Sequence, residues 1–355
     1  MELSERQWEP FFISSMFPVP KRGKRIVNKD HIEGKKPLVS SIGNNNGVTN
    51  FIGNTKKVRV YNKCISIANG GSSAGKAFYE PFEFIASDHV THCKNDGFTE
   101  NQYLALSALI SGKLTEKYSF SREITDHRIS REKVMLPVND AGEPDFDFLE
   151  QYISELKNKL SRQYLDYSKR KIGSMQSANI PTLDEKEWKD FFVAGEDGVF
   201  DADSTSSGAD KNKLNLTEGE IPYITRSNEQ NGISLFISEE QATKWQADEG
   251  NTITIGLDTQ TVFYQPHKYY TGQNIQVIRH EKMNEYIAMF IISMLKVQMK
   301  NFNWGGNGVT LGRLCRTKMM LPVNDSGEPD FDYMEQYIKN QMVKKYKDYI
   351  AYSEK

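Results

Sequence analysis

Apolar residues recur three and four positions apart along two long stretches of the chain. One carries Phe146, Leu149, Ile153, Leu156, Leu160, Tyr164 and Tyr167; the other carries Phe331, Met334, Ile338, Met342, Tyr346 and Tyr349. This spacing predicts two long helices, each with the seam of a coiled coil. Asp147 with Glu150, and Asp332 with Glu335, are placed to form capping boxes, and Pro144 and Pro329 suit a helix start. The first helix is expected to run to about Ile172, roughly 40 Å at 1.5 Å per residue. Gly173 and Pro181 then mark a linker. Two equivalent stripes are expected to pack on each other, antiparallel, as a spacer. The alternative is that each packs on its own domain.

The two stripes belong to a duplication. Leu136-Pro137-Val138-Asn139-Asp140 recurs 185 residues later as Leu321-Pro322-Val323-Asn324-Asp325, and over Leu136–Ile153 against Leu321–Ile338 only three of 18 positions differ. A period this long indicates duplicated domains, since solenoid repeats run to about 20–50 residues. Each half opens on an aromatic segment, Trp8 to Ile13 or Trp188 to Val193. A strand–turn–strand pattern follows, through Asn46-Gly47 in one half and Asn231-Gly232 in the other, a strong hairpin signal. Further strands are expected at Ala77 to Pro81 and Val262 to Pro266, and helices at Glu100 to Leu114 and Met283 to Met299. The fold class is therefore α+β, with two repeated domains of mixed strands and helices, each followed by a long helix.

Length and composition narrow the class. The 355 residues suit two domains, and 38% hydrophobic with 26% charged residues describes an ordinary soluble chain. A net charge of −2 argues against a uniformly basic surface, so nucleic-acid binding would need local clusters. Such clusters exist at Lys21 to Arg25, at Lys56, Lys57 and Arg59, and along the first long helix. Three cysteines make no disulfide framework, and neither a signal peptide nor a membrane span is evident, so a cytoplasmic protein is expected.

Catalytic motifs are missing. Gly70 to Lys76 superficially fits a phosphate loop, but Ala77 replaces the required Ser or Thr and a strand pattern follows. His89, His92 and Cys93 lie near one another without a second ligand pair. The hairpin loops instead carry base-reading chemistry: Ser41, Asn44 and Asn45 in one half, Arg226, Ser227 and Asn228 in the other. Asn pairs with adenine and Arg with guanine through paired hydrogen bonds. Lys56, Lys57 and Lys76, with Thr259 and Gln260 in the aligned loop, complete the candidate DNA-binding set. No catalytic or metal residue is expected.

Ile221-Pro222-Tyr223-Ile224-Thr225-Arg226 with Asn231-Gly232-Ile233, Gly75-Lys76-Ala77-Phe78-Tyr79, Val262-Phe263-Tyr264-Gln265-Pro266 and the paired Leu-Pro-Val-Asn-Asp helices together resemble the DNA specificity subunits of Type I restriction–modification systems. The small specificity subunits of Bcg-like Type IIB systems are especially similar. The resemblance covers essentially the whole chain. It implies a first target recognition domain at 1–145, a spacer helix at 146–176, a linker at 177–184, a second recognition domain at 185–330 and a second spacer helix at 331–355. It also implies a non-catalytic subunit that reads a bipartite, asymmetric double-stranded DNA target. Partner methyltransferase or fused methyltransferase–nuclease subunits would then bind S-adenosylmethionine and magnesium, with no cofactor in this chain. The rival readings are a stand-alone DNA-modifying enzyme and a protein-interaction scaffold.

Overall fold

A computed structural model describes residues 2–303 and 305–353; Met1, Glu354 and Lys355, at the ends of the expected ranges, lie outside the described residues. The chain divides into two compact units, Met1–Gln163 and Tyr164–Lys355. Both are built alike, from strands and helices in the order the duplication implies.

In the first unit the strand Cys64–Ala68 is buried along its whole length. It lies between Ala77–Glu80 and Val90–Cys93, both antiparallel to it, with Lys21–Arg22 at the sheet edge. The helix Glu100–Thr115 covers this sheet with Tyr103, Leu106, Ile110 and Leu114, spaced three and four apart. Burying each such side chain contributes about 1.5–3 kcal/mol. Thr99 caps the helix, accepting the Gln102 N–H while the Gln102 side chain returns to the Thr99 N–H. A second sheet holds the expected hairpin, Glu33–Val39 with Val48–Ile52; Phe84–Ala86 runs parallel to its first strand.

The second unit repeats the plan. Thr252–Gly256 is buried between Val262–Gln265 and Ile275–Arg279, with Asp201–Ser204 outermost. The helix Glu285–Met299, capped by Asn284, packs on it through Ile287, Ile291, Leu295 and Met299. Its hairpin is Ile221–Ile224 with Ile233–Ile237.

Each unit ties its ends together in the same way. Trp8–Phe12 pairs with Lys133–Pro137, and Trp188–Phe192 with Lys318–Pro322. The Trp8 indole N–H donates to the Leu3 carbonyl at 3.1 Å, and that of Trp188 to Leu183 at 2.9 Å. Arg6 meets Asp145 at 2.8 Å and lies over the Phe148 ring; Lys186 meets Asp330 at 2.7 Å and lies over Tyr333. A partly desolvated cation thus fastens the N-terminal strand to the start of the following helix.

The long helices span Phe146–Ser174 and Phe331–Ser353. The expected capping boxes at Asp147 and Asp332 do not form. Asp145 accepts the Phe148 N–H at 2.9 Å and Asp330 the Tyr333 N–H at 3.0 Å. Pro144 and Pro329 are held in bridges to Val138 and Val323, so the chain turns into the helix immediately afterwards and the cap falls two residues earlier than expected. Gly173 lies inside the first helix rather than beyond it.

The first apolar stripe divides between the two alternatives. Phe146, Leu149 and Ile153 join the core of the first unit. From Tyr164 onward the helix runs antiparallel to Phe331–Ser353: Tyr164 meets Tyr349 edge-on at 4.5 Å, Tyr167 meets Tyr346 at 5.9 Å, and Ile172 and Met175 pack with Met342 and Val343. Leu156 and Leu160 in between are exposed.

Candidate DNA interface

In the first unit the hairpin strands are joined by residues 40–47. The Ser40 N–H donates to the Gly47 carbonyl and the Gly47 N–H to Asn44, both at 2.8 Å. Asn45, Asn46 and Gly47 all adopt left-handed backbone, which explains the Asn-Asn-Gly run. The turn is therefore longer than the two-residue hairpin that Asn-Gly usually marks. In the second unit the Thr225 N–H donates to Gly232 and the Gly232 N–H to Glu229, again at 2.8 Å, and Gln230, Asn231 and Gly232 are left-handed. Two different sequences thus make one turn.

Each hairpin loop leans on the loop that joins the buried inner strand to the edge strand after it. Ser41 donates its hydroxyl to the Gly70 carbonyl at 2.7 Å and accepts from the Gly70 N–H at 3.2 Å. A Cβ on Gly43 would stand 3.0 Å from the Ser73 hydroxyl, which shows how closely the loops pack. In the second unit Arg226 ion-pairs with Asp258, and Asn231 donates to the Tyr264 carbonyl at 2.8 Å.

The candidate set is thereby sorted. Asn44, Asn45, Lys56, Lys57, Lys76, Ser227, Asn228 and Thr259 are exposed. Ser41 is occupied as a loop tie, and Arg226, 185 residues on, occupies the same place with an ionic partner. Ser227 accepts the Glu229 N–H, Thr259 shares a hydrogen bond with Thr261, and Gln260 donates to the Leu257 carbonyl. Ser41, Asn44, Asn45 and Lys76 come together in the first unit, as do Arg226 to Asn228 with Thr259 and Gln260 in the second. Lys56 and Lys57 sit apart, in the turn beyond the outer hairpin strand.

One alignment by simple offset needs correction. Strand pairing places Ser66 opposite Phe78 and Thr254 opposite Phe263. Gly256 therefore corresponds to Ala68, and the first loop exceeds the second: nine residues separate Ile67 from Ala77, six separate Ile255 from Val262. Part of the basic clusters is also committed to the fold. Arg22 donates to the Ile124 carbonyl and lies 3.4 Å from Asp126, Arg59 donates to the Arg22 carbonyl at 2.6 Å, and Lys157 meets Glu100 at 2.7 Å.

No catalytic or metal constellation assembles among the described residues. The segment after Lys76 is a strand, unlike a phosphate loop. His92 stacks on Tyr61 at 3.7 Å, and its ring Nδ1 lies 2.8 Å from the Lys21 carbonyl oxygen; burial holds its pKa below the usual value. Cys93 is fully buried, and burial pushes its thiol pKa up. Among the described residues no group of three or more His, Cys, Asp or Glu is placed to hold a metal. No helix among the described residues is long and apolar enough to cross a membrane.

The family model for the Type I restriction modification DNA specificity domain matches twice, over residues 5–163 and 185–350. The specificity subunit S.BcgI of a Type II restriction enzyme from Heyndrickxia coagulans is 25% identical over 340 residues, 94% of each chain. Among solved structures, the Type-I restriction-modification S subunit from M. genitalium matches with 16% identity and a TM-score of 0.43, covering 98% of this chain and 93% of that one. The HsdS subunit from Thermoanaerobacter tengcongensis matches with 11% identity and a TM-score of 0.32, covering 96% and 90%. With two matches that together span most of its length, the chain belongs to the Type I restriction modification DNA specificity family.

Proposed function

We propose that the chain reads a bipartite, asymmetric double-stranded DNA target, one half-site per unit, and directs methyltransferase or fused methyltransferase–nuclease partner subunits to it. One observation carries this reading: the two hairpin loops share a backbone turn but differ in nearly every side chain. A common frame with different tips suits two different half-sites.

On this reading Asn44 and Asn45 in one half-site, and Arg226, Ser227, Asn228, Thr259 and Gln260 in the other, supply donors and acceptors to base edges. Lys56, Lys57 and Lys76 contact phosphates and set register. Ser41 holds the first loop in place. This chain supplies recognition; S-adenosylmethionine and magnesium belong to the partner subunits.

The test is to map methylated motifs in cells expressing the chain with its co-purifying subunits, then to measure binding of the complex to duplexes carrying either half-site. An interrupted motif with unlike halves, and affinity that falls when either half is scrambled, is the expected result. A continuous or palindromic motif would overturn the proposal. Modification or cleavage by the purified chain alone would favour an enzyme, and equal retention of all duplexes a scaffold.

A further inference from the structure

Between residues 37–52 and 222–237 five positions are identical: Pro37/Pro222, Asn46/Asn231, Gly47/Gly232, Phe51/Phe236 and Ile52/Ile237. The fold accounts directly for three of the five. Asn46, Gly47, Asn231 and Gly232 take the left-handed conformations of the turn. Ile52 and Ile237 are buried, and Pro37 and Pro222 lie on the inner hairpin strand, opposite Phe51 and Phe236. Phe51 and Phe236 differ in kind. They remain 56% and 51% exposed, each on the outer hairpin strand four residues beyond the turn glycine.

A half-exposed phenylalanine adds little to a core, so burial does not explain its presence twice. In the first unit Phe51 forms, with Phe82, Pro37 and Val48, the apolar wall of an open groove of about 930 Å³. Asn45 and Asn46 of the hairpin loop border that groove, Lys36 and Glu83 line it as an ion pair, and Lys35 contributes a further cation. An aromatic wall, a cation and the loop carrying the candidate base readers thus form one continuous surface.

Resting on the DNA-reading proposal above, we infer that Phe51 and Phe236 are a matched pair of apolar contacts to deoxyribose, one per half-site. They set how deeply each hairpin enters a groove, independently of sequence. Loop residues that differ between the units suit what differs between half-sites; an exposed residue kept the same suits what half-sites share. Every half-site presents the same sugar C–H surface; in the first unit Lys35 adds a cation for the bordering phosphates, whereas the second unit has Glu220 at the aligned position, so the phenylalanine is what the two units share.

The test uses the purified complex of this chain with its partner subunits, on cognate and random duplexes over a range of salt. Phe51→Ala and Phe236→Ala are each expected to weaken binding to both duplexes about tenfold, the value of covering roughly half a phenylalanine. The salt slope and the methylated motif should not change, because no counterion is released and no base edge is lost. Phe51→Leu and Phe236→Leu should recover most of the affinity, and unchanged thermal unfolding would show that the variants fold. Three results would overturn the inference: unchanged affinity, loss of preference at one base pair, or loss of a partner subunit while binding to DNA persists. If the wild-type complex itself does not retain duplex DNA, the underlying DNA-reading proposal fails instead.

Discussion

Glu335 accepts a hydrogen bond from the Asn284 side chain at 2.8 Å, and Asn284 is the residue that caps the helix Glu285–Met299. The first unit makes the same connection from Glu150, which accepts from the Thr99 hydroxyl and from Asn101 at 2.7 Å. A glutamate on each long helix thereby holds the start of the domain's other long helix. Its charge also lies near the positive end of that helix.

Glu335→Ala is expected to destabilise the second unit by about 1–2 kcal/mol, through loss of a charge-assisted bond and a freer cap. Glu335→Gln should retain about half of that. Denaturant unfolding monitored by circular dichroism decides the matter; a change under about 0.3 kcal/mol for Glu335→Ala would show that the connection is incidental.

Glu80 makes the first unit sensitive to pH. Its side chain is fully buried, accepts the Ser66 hydroxyl at 2.8 Å, and is pushed by burial up to about 7. The folded state therefore keeps this proton after the unfolded chain has released it near pH 4.5. Stability from this group is fully present below pH 4.5 and is lost as pH rises to about 7, on the order of 3 kcal/mol in all. The second unit has Gln265 at the aligned position, donating to Thr254 at 3.1 Å. Glu80→Gln should therefore stabilise the first unit above pH 7 and flatten its stability between pH 5 and 7. Melting curves across that range that stay parallel to wild type would refute this.

Arg226→Ala should relax base preference in one half-site only, by roughly 1–3 kcal/mol at the pair it reads. Asp258→Asn should produce a weaker version of the same change, because its carboxylate holds the guanidinium. Equal loss in both half-sites, read from methylated motifs, would sink the idea that the units read independently.

Lys56→Ala and Lys57→Ala address the proposed phosphate contacts. Each is expected to weaken all duplexes alike and to lower the salt slope by about 0.9. An unchanged slope would place these lysines away from DNA.

Much of this architecture is legible without coordinates. The 185-residue offset, the apolar stripes and the Asn-Gly turns are local or periodic signals, and they locate the helices and the hairpins with their loops. The internal comparison even marks Phe51 and Phe236, since identity at an exposed turn-proximal position is visible once the copies are aligned. The loop that joins the buried strand to its edge neighbour is not legible in this way, because nine residues in one copy replace six in the other and only strand pairing sets the register.

The sequence by itself therefore determined the duplicated α+β plan and a family of recognition subunits, because hydrophobic periodicity and turn chemistry are written in neighbouring residues. Tertiary structure decided how individual polar groups are used. It gave the helix caps to Asp145 and Asp330, tied Ser41 to Gly70, paired Arg226 with Asp258, and spent Arg22 and Arg59 on backbone carbonyls. Those partners lie as far as 102 residues away along the chain, and a polar side chain's role depends on whichever group the fold brings within about 3 Å.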